Sequence, residues 1–103
     1  MNTQLTKTLK ILKDSNNKQF IEIIKSSHMN LSAQRIDGEN NFKHINKTSD
    51  EHIIILEGSL NIWTETGHLS GEAGDIITIP RLQEHGNITA HHAKILVLEN
   101  KTN

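Results

Sequence analysis

The sequence predicts an antiparallel all-β domain, and three observations carry that expectation. Short runs rich in isoleucine and leucine recur along the chain from residue 29 onward. Turn signals built on glycine separate them, at Asp37-Gly38, Gly58, Thr66-Gly67 and Ala73-Gly74-Asp75. The only proline, Pro80, ends one run, as suits a residue that cannot donate to a central ladder. Many short strands with regular turn punctuation read as a barrel or sandwich rather than a parallel α/β sheet.

The elements follow in order. Leu5, Leu9, Ile11 and Leu12 have roughly helical spacing, so Thr3–Lys13 is expected to be a short helix that Asp14-Ser15-Asn16-Asn17 ends. Phe20–Ile24 reads as a strand or as a continuing helical turn. Asn30–Ile36 alternates weakly and stops at the Asp37-Gly38 turn, and Phe42–Asn46 is the next strand. His52–Glu57 is β-branched and apolar on both faces, as in a strand covered on two sides. Gly58 then turns the chain into Leu60–Thr64. Ile76–Ile79 is a strand stopped by Pro80, and Ala93–Glu99 is the last.

Composition narrows the function classes. The 103 residues suit one domain with a single core, too small for a cofactor domain beside a substrate domain. The net charge of −1, with no basic block, disfavours nucleic acid as a partner. Cysteine is absent, which excludes disulfides and thiolate metal sites. Residues 1–7 carry no long apolar segment, so a soluble cytoplasmic protein with no membrane partner is expected.

His44 and Asn46 lie two apart, so on a strand both leave the same face. Glu51 begins the following strand after a connection short enough for a hairpin, and His85 arrives from beyond Pro80. Two histidines, a carboxylate and a carboxamide are the raw material of a transition-metal site. They equally suit a metal-free pocket in which His44 and Glu51 satisfy each other by hydrogen bonding.

The spacing resembles that of the cupins, small jelly-roll barrels whose first motif reads G-x5-H-x-H-x4-E-x6-G. Gly38, His44, Glu51 and Gly58 fall on it, with Asn46 at the second histidine. Gly74, Pro80 and His85 match the second motif, G-x5-P-x-G-x2-H-x3-N, while Leu82 and Thr89 stand at its second glycine and its asparagine. The resemblance implies a cupin-type jelly-roll barrel (double-stranded β-helix) over about residues 30–99, preceded by a short helical or extended segment. It also carries His44, Asn46, Glu51 and His85 over to the four metal-ligand positions.

Asn46 weakens that donor set, because a neutral carboxamide is a poorer ligand than imidazole for first-row metals. His44, Glu51 and His85 still make up two histidines and one carboxylate. The expectation is therefore a cupin-domain protein binding a divalent metal (Fe, Mn, Ni or Zn) and a small polar molecule inside its barrel. The alternatives are a metal-dependent dioxygenase or isomerase, and a metal-free sensor or interaction domain. His52, Ile54 and Leu56 should leave the face opposite Glu51, and covering that face predicts a homodimer. His28, His52, His68, His91 and His92 are expected outside the site. Trp63 reads as core or interface before ligand-stacking residue, and Arg81 as a solvated loop residue before an anion contact.

Overall fold

The computed structural model describes residues 18–101, and the helix expected over Thr3–Lys13 lies outside them. Six strands follow one another: β1 (Lys18–Lys25), β2 (Met29–Ile45), β3 (Ser49–Thr64), β4 (Gly67–Glu72), β5 (Ile76–Ile79) and β6 (Glu84–Lys101). All pairings are antiparallel, in the order β1-β2-β6-β3-β4, with β5 on β3. Among the described residues no helix is long and apolar enough to cross a membrane.

The strands are longer than the sequence suggests. Asn30–Ile36 and Phe42–Asn46 read as two strands but fall largely on the single β2, of 17 residues. His52–Glu57 and Leu60–Thr64 likewise belong to the 16-residue β3. Gly38 and Gly58 have φ of 84° and 77°, a conformation that serves a bulge as well as a turn. Here they sit at register shifts, between Ile36 and Gly38 and between Glu57 and Ser59. Bulges bend strands, which lets one continuous sheet curl around a single core.

Strands β4 and β6 extend beyond the apolar runs of the sequence. Strand β4, rich in glycine and polar residues, gives no apolar run to read; it exists because Thr64 pairs with Gly67 across a tight turn. Strand β6 begins at Glu84 rather than near Ala93. Its first half is interrupted by Asn87 and His92, at φ of 43° and 47°, so its alternation is hidden in the sequence.

The core is built from the inward residues of these strands. Ile53, Ile55, Ile62, Ile79 and Ile95 are at most 2% exposed. Burying each contributes about 1.5–3 kcal/mol. The outer face of β3 is only partly covered: Ile54 and Leu56 are half-buried beside Ala33 and Leu96 in a smaller cluster. At Gly86 the backbones of β2 and β6 approach so closely that an added Cβ would meet the Phe42 carbonyl. That approach positions His85, the preceding residue.

Candidate functional site

The end of β2, the start of β3 and both ends of β6 bring the polar residues together. His44 pairs in register with His85, and Glu51 with Glu99. Asn46 lies just beyond β2 and is buried. The Leu82 N–H donates to the Asn46 carbonyl at 2.8 Å, tying the loop before β6 to the connection between β2 and β3. Leu82 itself has a φ of 72°, the conformation that favours the glycine it replaces.

The side chains form a chain of contacts. Asn46 Nδ2 donates to Glu51 Oε1 at 3.2 Å. That assignment turns Asn46 Oδ1 toward His44 Nε2, 2.8 Å away, so this nitrogen carries the proton. His85 Nδ1 stands 3.2 Å from the Gln83 carbonyl and donates to it. In the neutral ring this leaves the lone pair on His85 Nε2, 3.9 Å from Glu51 Oε2. The two rings meet edge to face, with centroids 5.7 Å apart. His85 is 3% exposed, whereas His44 is exposed at the rim.

Burial raises the Glu51 pKa above its ordinary value, opposed by the Asn46 hydrogen bond and by His85, while the Glu99 carboxylate pushes it further up. Inside the barrel a cavity of about 160 Å³ has His44, Glu51, His85 and Glu99 at its polar end. Isoleucines, among them Ile36, Ile53 and Ile95, form its walls. A second hollow of about 220 Å³ lies at the mouth, with Phe20 and Arg35 on its lining. Gln34, Ile36, Phe42 and Ile88 line both, so the two adjoin.

All four residues singled out by spacing thus lie at one end of the barrel. As placed, they do not cradle an ion: among the described residues no three His, Cys, Asp or Glu side chains stand close enough to hold one. The Asn46 amide lies between two of them, engaging the ring nitrogen of His44 and one oxygen of Glu51.

Glu99 is a member of the cluster that motif spacing does not reveal. Its signal is alternation: Ile95, Val97 and Glu99 share one face of the last strand, so a carboxylate follows two core residues into the interior.

The other histidines lie elsewhere. His52 Nδ1 is 3.0 Å from Thr78 Oγ1, His68 Nδ1 is 3.0 Å from Asn61 Oδ1, and His92 pairs with Asp37 at 3.0 Å. Lys43 Nζ sits 4.5 Å over the Trp63 ring. Neither Trp63 nor Arg81 lines the cavity, and the Arg81 N–H donates to Asp50 Oδ1 at 2.7 Å.

Comparison with known proteins bears on the fold. The profile of a family described as "Ethanolamine utilisation protein EutQ" matches residues 14–100. A cupin-2 domain protein of Shewanella frigidimarina superposes with a TM-score of 0.74 at 19% identity, covering 98% of this chain and 94% of that one. An RmlC-like cupin of Methanocaldococcus jannaschii, with a double-stranded β-helix fold, gives 0.72 at 19% identity, covering 86% and 84%. A Neisseria meningitidis protein gives 0.76 at 14% identity, covering 98% and 100%. No curated protein sequence matches the chain. The chain belongs to the EutQ family and has the cupin fold.

Proposed function

We propose that this member of the EutQ family binds a small polar molecule inside its barrel, the cluster at Glu51, His85 and His44 reading the ligand's polar end. The observation that supports it is the cavity itself, walled largely by isoleucine with His44, Glu51, His85 and Glu99 converging on it. Binding sites of this kind combine apolar walls with a few convergent polar groups. Ile88 lines both the interior cavity and the adjoining hollow, so Ile88→Phe takes up space in both. Saturation-transfer NMR of chelator-treated protein against small polar molecules tests the reading. Signals in the wild type should fall in the variant; equal signals in both overturn it.

A second reading places a divalent metal (Fe, Mn, Ni or Zn) at His44, Asn46, Glu51 and His85. One observation favours it: His85 donates through Nδ1 to a backbone carbonyl, which turns Nε2 toward Glu51, as ligating histidines are commonly oriented. His85 and Glu51 are the stronger donors for such an ion, which would supply Lewis-acid character. Accepting it requires His44 and Asn46 to give up their mutual contact, so this reading stands second.

Association is a separate part of the proposal. The half-buried Ile21, Ile23, Leu31, Ile54 and Leu56 surround Ala33 and Leu96 on the outer face. A second copy packed two-fold on this face buries them in a homodimer.

A further inference from the structure

We propose that the polar end of the barrel cavity seats a primary ammonium group between Glu51 and Glu99, the ligand's carbon chain lying along the isoleucine wall. This rests on the reading that the barrel interior is the binding site, and it names the class of molecule bound: a short aliphatic amine.

Glu51 and Glu99 are direct register partners on antiparallel β3 and β6, and both line the cavity. Like charges directly opposite one another across a ladder are destabilising. Yet no Lys or Arg among the described residues lines this cavity to offset them. A cation delivered by a ligand supplies the missing charge.

The hydrogen-bonding capacity points the same way. The Asn46 Nδ2 is engaged by Glu51 Oε1, and Gln34 Nε2 donates to Ser32 Oγ at 3.2 Å. Ser49 Oγ donates to Glu99 Oε2 at 3.4 Å. The acceptors at the cavity are Glu51 Oε2, Glu99 and, in the neutral ring, His85 Nε2. A primary ammonium brings three N–H donors to these three groups.

One position further along the same row, Asn30 is the register partner of Glu99 on β2, and its Oδ1 is buried with no hydrogen-bond partner among the described residues. The surplus of acceptors therefore extends beyond the two carboxylates. An anion meets repulsion here, an alcohol brings one donor and no charge, and a quaternary ammonium brings charge but no N–H.

Calorimetric titration of the full chain, in chelator and at fixed ionic strength, tests this with four probes sharing one carbon chain: n-butylamine, n-butanol, butyrate and butyltrimethylammonium. Butylamine should bind about tenfold or more tighter than butanol, as expected of hydrogen bonds to charged groups. The quaternary analogue should bind more weakly than the primary amine, and butyrate should give no heat. Glu99→Gln should weaken butylamine about tenfold and butanol much less; Glu51→Gln, which removes the opposing carboxylate, makes the same comparison if the first variant does not fold. Butanol binding as tightly as butylamine, or amine affinity unaltered by substitution of Glu99, overturns the ammonium seat while leaving the barrel as a binding site. Absence of binding by all four probes, in calorimetry and by NMR, overturns both.

Discussion

The Asn46 side-chain nitrogen stands 3.2 Å from Glu51 Oε1 and donates to it, at a position where the cupin pattern has a second histidine. The same amide faces His44 Nε2 through its oxygen. One side chain thus links two of the three strong donors of the site to each other. Asn46→His exchanges this link for an imidazole. The variant should bind divalent metal about tenfold or more tightly than the wild type, since even changes around the ligands alter affinity by about 10–100-fold. Calorimetric titration of both proteins with Mn, Fe, Ni and Zn checks it. Metal affinity equal in both would show that the amide does not limit the site.

Glu51 makes stability depend on pH. Burial raises its folded-state pKa above the ordinary value of 4.5, so the folded state holds its proton to higher pH than the unfolded chain. The favourable contribution is fully present below the unfolded value and is lost as pH rises through the folded one. Glu51→Gln keeps an acceptor for Asn46 and removes this loss. The variant should gain stability relative to the wild type as pH is raised from 4.5 to neutral, measured by thermal melts across that range. A constant difference between the two proteins would contradict the assignment.

Leu82 holds a φ of 72° in an exposed loop. Left-handed backbone costs an L-residue about 1–2 kcal/mol, and glycine is free of that strain. Leu82→Gly should therefore stabilise the fold by up to about 1 kcal/mol, after the greater entropy of the unfolded glycine chain is subtracted. Denaturant unfolding measures the difference.

Gly86 is the opposite case. A Cβ there would collide with backbone at Phe42 and Lys43, which cannot rotate aside. Gly86→Ala should destabilise by at least about 2 kcal/mol, the range of substitutions that force backbone strain. It should also weaken ligand binding, because His85 moves with the strand.

The outer face predicts self-association. Sedimentation at micromolar concentration should show a dimer, and Leu56→Lys should give a monomer by charging the face. A wild-type monomer under those conditions would remove this part of the proposal.

Alternation and turn residues by themselves determine the β class, the common face of Glu51, Ile53 and Ile55, and the shared face of His44 with Asn46. Those are local properties, set by the period of a strand and by which side chains avoid water. The Gly38-to-Gly58 and Gly74-to-His85 spacings also carry the cupin architecture. Tertiary structure decided three things that local rules do not encode. Gly38 and Gly58 lie at register shifts rather than reversals, because cross-strand pairing continues on both sides of each. The polar first half of β6 became strand through its partners on β2 and β3, not through its own propensity. Glu99 reached Glu51 because register, set across 48 residues of chain by the curled sheet, opposes them. Sequence placed the donors near one another; only packing joined His44 to Glu51 through Asn46 and brought a second carboxylate into their cavity.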